Sequence, residues 1–330
     1  MPHCATFRRL GALALALANN LCFAATLNFE SRTPQDFVDL MAGTVPAQPM
    51  TAQVHWPPGS STPVGAVVFT HGSGGVGANE DLFRTVALQA GLAVVIVDSF
   101  TPRGARSTVD NQGAVSYAAQ VADNLFVLKA LAKESAIDMK RVGIFGLSRG
   151  GMVAHFAAHE PLVEAVAGGG LRYSAHFALT PACNAQLDIW KVRAGAPIFI
   201  ALGEKDDYTP PSSCQSVIQK FQQAGAALTV KAYAGAYHAF AHINSRHIYS
   251  PRAQRIRTDK ACPIVTSQDG TTSIVTEGLA QGSITVGGNW SRFFGQWMSL
   301  CGTTGGTIGS EIDHQATVLQ DFARFFERLK

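Results

Sequence analysis

The chain has 330 residues, of which 47% are hydrophobic and 15% are charged, and its formal net charge at pH 7 is +3. This composition excludes a disordered chain and a charged coiled coil, and the length fits one large α/β domain or two modest ones. No long run of Lys or Arg is present, so no nucleic-acid partner is expected, because such binding requires basic side chains clustered on one face. The mean hydropathy of +0.11 is high for a soluble protein.

The first 24 residues have the layout of a secretory signal peptide. Arg8 and Arg9 directly precede the apolar run 10–18, and Cys22 and Ala24 fit the −3 and −1 positions of a cleavage site. The run is too short to span a bilayer as a stable helix. The sequence therefore predicts cleavage after Ala24 and a secreted or periplasmic protein without membrane contact. A buried N-terminal helix and a lipoprotein site at Cys22 are the alternatives.

Beyond the signal, short apolar runs alternate with amphipathic helical stretches. The runs predicted as strands are Ala66–Thr70, Leu92–Asp98, Arg141–Phe145, Ala165–Ala167, Pro197–Leu202 and Leu228–Tyr233. The predicted helices are Asp81–Ala90, Val115–Leu131, Gly150–His159, Ser212–Ala224 and Thr317–Leu329. Strands that are apolar throughout are buried on both faces, and alternation with helices requires crossover connections. The sequence thus predicts a single α/β domain over 25–330 with a doubly wound, mostly parallel sheet, which accounts for much of the hydropathy.

The segment 241–316, called the insert below, departs from this alternation. The runs 264–266 and 273–276 flank Asp269-Gly270, which predicts a hairpin with an Asp-Gly turn. A segment this long before the C-terminal helix is usually functional. We expect it either to cap the active site or to form a satellite subdomain packed away from it. As a cap, it would offer aromatic side chains to an acyl group, namely Trp290, Phe293 and Trp297.

The strongest motif is Gly146-Leu147-Ser148-Arg149-Gly150, a G-x-S-x-G pentapeptide between a predicted strand and a predicted helix. In such a nucleophile elbow the serine lies on a tight, strained turn, and the glycines have no Cβ to clash as the turn closes. The Ser148 hydroxyl is then presented at the edge of the sheet. The backbone N–H of Arg149 begins the helix, where it is placed to stabilise an oxyanion.

A serine nucleophile in this context needs an acid and then a histidine further along the chain. The predicted strand that ends at Leu202 leads into Asp206 and Asp207. Adjacent side chains point apart, so only one of these two carboxylates can serve. The predicted strand that ends at Tyr233 leads into His238, which is therefore the expected base.

These motifs resemble those of the dienelactone hydrolase family of α/β-hydrolases. The matching stretches, in the family's order, are VVFTHGSGG at 67–75, VDSFTPRG at 97–104, KRVGIFGLSRGG at 140–151, GEKDDYTP at 203–210 and YAGAYHAF at 233–240. The resemblance implies the α/β-hydrolase fold, Asp206 rather than Asp207 as the acid, and His238 as the base. Two features depart from the family: Ser148 replaces the nucleophilic cysteine of the dienelactone hydrolases proper, and the insert is additional. Both favour a broader esterase.

Further site residues are predicted in the loops after the first two strands. Ser73 is expected to give the second oxyanion N–H, with Gly74 as the alternative, because similar folds use the residue after His-Gly. His71 is expected to be structural. Arg103, like Arg106, follows the second strand, where a guanidinium could bind a substrate carboxylate or form an ordinary ion pair.

Four cysteines remain after signal removal, and an even number in an exported protein predicts two disulfides. Of the three possible pairings we favour Cys183–Cys214 and Cys262–Cys301, because each pair falls within one segment of the chain. Buried free thiols are the alternative. No CxxC or HExxH spacing is present, so no metal site is predicted.

Together these features predict a serine carboxylesterase for a small-molecule ester, without cofactor or metal. Ser148 attacks the ester carbonyl, His238 takes its proton, and Asp206 orients the imidazole. The N–H groups of Arg149 and Ser73 hold the oxyanion. The alternatives are a serine peptidase of the prolyl oligopeptidase type, whose propeller domain this chain lacks, and a non-catalytic binding protein, which would normally have a broken triad.

Overall fold

The computed structural model describes residues 24–59, 63–188, 191–241, 246–259, 261–280 and 282–330. The predicted signal peptide therefore lies, except for its last residue, outside the described residues. The strands are β1 (Ala24–Arg32), β2 (Ala47–His55), β3 (Val64–Thr70), β4 (Ala93–Val97), β5 (Ile137–Leu147), β6 (Ala175–Leu179), β7 (Ala185–Leu187), β8 (Pro197–Gly203), β9 (Ala227–Tyr233), β10 (Ile248–Ile256), β11 (Ile264–Thr266), β12 (Thr272–Ile274) and β13 (Gly302–Ile308). The helices are α1 (Phe37–Ala42), α2 (Ala78–Gln89), α3 (Tyr117–Leu131), α4 (Arg149–Phe156), α5 (Glu160–Val166), α6 (Pro211–Gln223), α7 (Trp290–Cys301) and α8 (Gln315–Phe326).

Eight strands form one sheet in the order β1-β2-β4-β3-β5-β6-β8-β9. The pairs from β4 to β9 are all parallel. The β1–β2 and β2–β4 pairs at one end are antiparallel. The carboxyl ends of the parallel strands therefore share one edge of the sheet, where ligands bind in open α/β folds. This is the doubly wound, mostly parallel sheet that the sequence predicts.

Alternate residues of β3 point into two separate cores, one on each face of the sheet. Phe69 packs with Phe83 of α2 and Phe322 of α8 in one core. Val68 packs in the other core, to which α3 contributes Leu125. Because both faces are covered, the strand is buried along its whole length, as its continuous apolar sequence requires.

One predicted strand is wrong. Residues 165–167 end helix α5, and Ala167 is its C-cap. Pro161 stands in the first turn of that helix, where its fixed φ and missing N–H are tolerated. The sheet strand at this point of the chain is β6, whose short sequence AHFAL is buried throughout. A short run of Ala and Val does not by itself distinguish a buried strand from a buried helix.

The insert contains the antiparallel pair β10–β13, the hairpin β11–β12 and the helix α7. The predicted hairpin is confirmed: Thr266 pairs with Thr272, and Gly270 has the left-handed φ of 88° that its turn requires. Strand β11 also pairs in parallel with β7, which joins the insert to the chain before it. Both favoured disulfide pairings, Cys183–Cys214 and Cys262–Cys301, are present. Within the described ranges, no helix is long and apolar enough to cross a membrane.

Candidate active site

Ser148 lies between β5 and α4 with a φ of 58°, which is unusual for a residue with a side chain. The turn is tight: a Cβ on Gly146 would lie 2.0 Å from the Gly150 carbonyl oxygen. A Cβ on Gly150 would lie 2.1 Å from the Thr70 carbonyl oxygen. Both motif glycines are therefore needed for backbone approach. Such strain costs about 1–3 kcal/mol and persists only where the surroundings fix it, here including a 2.8 Å bond from Ser148 N–H to the Leu179 carbonyl.

An aspartate and a histidine face each other at the same edge of the sheet. Asp206 follows β8, His238 follows β9, and Asp206 Oδ2 lies 2.8 Å from His238 Nδ1. Asp206 Oδ1 accepts the backbone N–H groups of Tyr208 (2.9 Å) and Thr209 (2.7 Å). Both members of the pair are buried. The backbone thus fixes the carboxylate so that Oδ2 faces the imidazole.

The neighbouring Asp207 has a different task. Its Oδ1 accepts the N–H of Thr307 at 2.7 Å, and its Oδ2 accepts the hydroxyl of Thr307 at 3.1 Å. Thr307 belongs to β13 of the insert. The structure therefore places Asp206 against His238, as the family resemblance implied, and uses Asp207 to fasten the insert.

Ser148 lines a small pocket with a cavity volume of about 30 Å³, called the Ser148 pocket below. Tyr208 also lines it and packs against His238 with ring centroids 4.6 Å apart. The hydroxyl of Thr209 lies 2.9 Å from Asp206 Oδ2 and 2.9 Å from His238 Nδ1. Among the described residues, no hydrogen bond joins Ser148 Oγ to His238 Nε2; in free enzymes such bonds are often long and tighten with substrate.

The loop 71–75, called the Ser73 loop below, packs against the nucleophile turn. A Cβ on Gly72 would lie 3.4 Å from the Cβ of Ser148. Ser73 lines the Ser148 pocket, whereas Gly74, the alternative donor, does not. In the described part of the chain, no internal hydrogen bond uses the backbone N–H of Ser73 or of Arg149.

His71 connects the Ser73 loop to the strand ends beside it. Its Nδ1 lies 2.8 Å from the carbonyl of Gly72, and its Nε2 accepts the N–H of Ser99 at 3.0 Å. Complete burial lowers the pKa of His71 to about 4, so the ring is neutral at pH 7. These bonds give His71 the structural part expected from sequence.

The Arg149 side chain is buried beside Ser148 and, among the described residues, has no carboxylate partner. Its Nε donates to Gln120 Oε1 at 2.7 Å, and its Nη2 donates to the Ser116 carbonyl at 2.9 Å. The guanidinium also lies 4.7 Å from the ring centroid of Tyr117. Burial lowers its pKa to about 10, so it stays positive at pH 7. Neutral groups alone therefore hold a positive charge next to the nucleophile.

Arg103 does not line the Ser148 pocket. Its two Nη atoms donate to the Asp123 carboxylate at 2.7 and 2.9 Å, and the side chains of this ion pair are 6% and 0% exposed. It also donates to the carbonyls of Ser99 and Arg32. Of the two roles predicted for Arg103, a substrate-binding group and a member of an ion pair, the contacts support the ion pair, because the Arg103 donors are occupied inside the protein.

Residues of the insert line the Ser148 pocket from β10 and α7, namely Gln254, Arg255, Ile256, Phe294 and Trp297. Trp297 is where the cap prediction placed it, and its indole N–H donates to the Cys262 carbonyl at 3.0 Å. Trp290 does not line the pocket. Its indole N–H donates to the Gln112 carbonyl at 3.2 Å, and its ring lies 4.6 Å from that of Tyr117. Phe293 is completely buried.

Several pocket residues were not predicted from sequence. Tyr208 and Thr209 lie two and three residues after Asp206, so their position near the acid was a usable signal. Gln112 lies in the long loop after β4, at the edge of the sheet where sites form, but its residue type gave no reason to choose it. Arg255 lies on a partly exposed strand of the insert and carries no sequence signal.

A mostly parallel sheet, a serine on a strained strand-to-helix turn and an Asp–His pair at the next strand ends together define an α/β-hydrolase. The model of the dienelactone hydrolase family matches residues 50–262, more than half of the chain. The protein therefore belongs to the dienelactone hydrolase family. It is a hydrolase of ester bonds.

The individual proteins that this chain resembles share less than 30% sequence identity with it. A Bradyrhizobium protein named "Probable 2-oxo-3-(5-oxofuran-2-ylidene)propanoate lactonase" is 28% identical over 174 residues, which cover 50% of this chain and 68% of the relative. A dienelactone hydrolase-like promiscuous phosphotriesterase from metagenomic libraries has 15% identity and a TM-score of 0.46, covering 66% of this chain and 85% of its own. A hyperthermophilic esterase from Pyrobaculum calidifontis has 17% identity and a TM-score of 0.46, with 66% and 78% covered.

Proposed function

We propose that the protein is a serine carboxylesterase that forms an acyl-enzyme on Ser148. The observation that carries the proposal is that the strained Ser148 turn and the Asp206–His238 pair lie at the same edge of the sheet. Within the pair, Asp206 Oδ2 lies 2.8 Å from His238 Nδ1. A hydroxyl is a weak nucleophile at neutral pH and needs a base that a third group orients. The three residues follow the chain order Ser, Asp, His that this fold uses.

In the proposed reaction, His238 takes the Ser148 proton as Oγ bonds to the ester carbonyl carbon. The N–H groups of Arg149 and Ser73 receive the carbonyl oxygen as it becomes an oxyanion, an effect of about 3–4 kcal/mol per donor in related sites. His238 then returns the proton to the leaving alcohol. Water repeats the attack on the acyl-enzyme, releasing the acid and restoring Ser148. The steps balance without a cofactor or metal.

The lining of the Ser148 pocket supports a small-molecule ester. Trp297 and Phe294 offer apolar surface to an acyl group, and the side chains of Arg149 and Arg255 also line the pocket. The name of the Bradyrhizobium relative, a lactonase, extends the proposed substrate class to cyclic esters.

The test is the variant Ser148→Ala assayed with p-nitrophenyl acetate. We expect kcat to fall by about 10⁶-fold, because removing the nucleophile of a serine hydrolase removes nearly all of its catalysis. A fluorophosphonate probe should label the wild type and not the variant. Wild-type turnover by a folded Ser148→Ala protein would refute the proposal.

We also propose that residues 25–330 form one domain with the insert as its cap. The β7–β11 pairing and the Asp207–Thr307 bonds support this proposal, for which a single cooperative unfolding transition is expected.

We propose further that the protein is exported after cleavage behind Ala24, and the two disulfides support this because disulfides persist in oxidising compartments. Mass spectrometry of the exported protein would test whether the chain starts at residue 25.

A further inference from the structure

Gln112 stands at the junction of the elements that build the site. It is 6% exposed, lines the Ser148 pocket, and lies in the loop between β4 and α3. Its side-chain amide and its backbone amide both form hydrogen bonds, and they bond to different parts of the molecule. No step of the proposed reaction uses Gln112.

The side chain of Gln112 connects the Ser73 loop to the acid side of the site. Its Nε2 donates to Ser73 Oγ at 2.8 Å and to the Tyr208 hydroxyl at 3.3 Å. Its Oε1 accepts the hydroxyls of Ser73 (3.1 Å) and Thr108 (3.2 Å) and lies 3.4 Å from Nη1 of Arg149. Because the Arg149 guanidinium can only donate, it fixes Oε1 on its own side and leaves Nε2 to face the Tyr208 hydroxyl, while both ends of the amide contact Ser73 Oγ.

The backbone of Gln112 is held by the insert. Its N–H donates to Gln254 Oε1 at 2.8 Å, and its carbonyl accepts the indole N–H of Trp290 at 3.2 Å. Gln254 lies on β10, and Trp290 is the first residue of α7. Two elements of the insert therefore fix the backbone whose side chain holds Ser73.

The Ser73 loop has little rigidity of its own, because three of its five residues are glycine. The bonds that restrain the Ser73 carbonyl come from the chain segment just before Gln112, and those that restrain its hydroxyl come from Gln112 itself. Thr108 N–H donates to the Ser73 carbonyl at 2.7 Å, and the Ser107 hydroxyl donates to the same oxygen at 3.1 Å. An oxyanion donor must be held close to its productive position before the reaction, since a misplacement of about 1 Å can cost about 10²-fold.

We infer that Gln112 is a positioning residue through which the insert sets the Ser73 N–H in place for the oxyanion. The inference rests on the proposed function, because it presumes that this N–H binds the carbonyl oxygen. It gives the insert a second task beside lining the pocket. It also explains why Trp290, an aromatic residue near the site, is turned away from the Ser148 pocket.

The experiment compares Gln112→Met with Thr108→Val on p-nitrophenyl acetate. Met keeps the shape of Gln112 and removes all of its side-chain hydrogen bonds, those to Ser73, Tyr208, Thr108 and Arg149. Thr108→Val removes one hydroxyl bond to the same amide and keeps the backbone bond to Ser73. We expect Gln112→Met to lower kcat by about 10²-fold with KM little changed, and Thr108→Val to leave kcat close to that of the wild type. A role in packing alone would lower thermal stability without this split between kcat and KM.

Two smaller substitutions keep the inference testable if Gln112→Met does not fold. Ser73→Ala removes the hydroxyl that Gln112 holds but leaves the Ser73 N–H, and it should also lower kcat rather than raise KM. Trp290→Phe keeps a ring on α7 and removes the bond to the Gln112 carbonyl; we expect kcat to fall by about three- to tenfold, the worth of one hydrogen bond.

Wild-type kcat in folded Gln112→Met, or in both smaller variants, would overturn the inference. These results are separate from a failure of the proposed function, which Ser148→Ala alone decides. If Ser148→Ala abolishes turnover and Gln112→Met does not change kcat, only the positioning role is wrong. If Trp290→Phe alone has wild-type kcat, the link from the insert is wrong.

Discussion

Asp206 divides its two carboxylate oxygens between the backbone and the imidazole. Oδ1 accepts two backbone N–H groups, and Oδ2 faces His238 Nδ1 at 2.8 Å. An ionised carboxylate can only accept, so Nδ1 carries the proton of the neutral ring. Nε2 is then the basic nitrogen, which is the nitrogen the proposed reaction needs. One residue thus sets both the direction and the tautomer of the base.

Asp206→Asn is expected to lower kcat on p-nitrophenyl acetate by about 10⁴-fold while leaving the fold intact. The Asn oxygen can still accept the N–H groups of Tyr208 and Thr209, so its amide nitrogen is turned toward His238. That nitrogen donates, which forces the proton from Nδ1 to Nε2 and leaves the ring unable to accept the Ser148 proton.

Asp207→Asn is the matched control, because the two aspartates are adjacent and only one faces the histidine. Asp207 bonds to Thr307, and Asn can keep its oxygen on the Thr307 N–H. We expect a loss of less than about tenfold in kcat, since no group of the proposed reaction is touched. A larger loss for Asp207→Asn than for Asp206→Asn would reverse the assignment of the acid.

Among the elements, α2 begins with a buried carboxylate. The N–H of Gly77, its N-cap, donates to Glu80 Oε2 at 2.8 Å, which is half of a capping box, because glycine has no side chain to accept the N–H of Glu80. Glu80 is 3% exposed, and burial raises its pKa to about 7. Burial of the Glu80 carboxyl group therefore lowers the free energy of unfolding at high pH. In the folded protein the group must either ionise while buried or stay protonated at a pH at which the unfolded chain releases the proton.

Glu80→Gln is expected to gain stability relative to the wild type as the pH rises. A folded pKa of about 7, above the ordinary value of 4.5, means that the wild type is fully stable below pH 4.5 and loses stability as the pH rises to 7. The loss is about 3 kcal/mol at about 1.4 kcal/mol per unit. Gln keeps the bond from Gly77 and does not titrate. Urea unfolding at pH 5 and pH 8 measures the difference, and an equal difference at both values would refute the raised pKa.

The elements that are predicted well from sequence are those whose pattern of apolar residues directly indicates how they are buried. Strands β3, β4 and β8 are apolar because helices cover both faces, and the turn at Ser148 needs glycines that the motif displays. The predictions for strand β6 and helix α5 were wrong because a short run of Ala and other apolar residues suits either a buried strand or a buried helix. Helix α7 is amphipathic, but it lies in the insert, where the only pattern recognised from sequence was the hairpin. Gln112 could not be predicted, because its role depends on five contacts that are distant in the chain.

Across the whole molecule, burial leaves several histidines neutral, and His155 is the least compensated of them. It lies on α4, is 1% exposed, and neither ring nitrogen has a hydrogen-bond partner among the described residues. Its ring packs 4.9 Å from Phe156 and 6.1 Å from Phe221. Burial is the main cause that lowers its pKa well below 6.5, and the nearby His159 and His176 lower it further.

His155→Leu is expected to make the protein more resistant to acid. Because the folded pKa lies below the unfolded value of 6.5, the unfolded chain binds more protons in acid. The contribution of His155 to stability is complete above pH 6.5 and is lost as the pH falls through the folded pKa. Leucine has a similar volume, leaves no polar atom unpaired and does not titrate. Between pH 7 and pH 4.5 the wild type should lose more unfolding free energy than the variant. Urea titrations of both proteins at the two pH values measure this, with Glu80→Gln as the comparison whose advantage grows in the opposite direction. Equal losses in the wild type and His155→Leu would show that His155 does not contribute to acid unfolding.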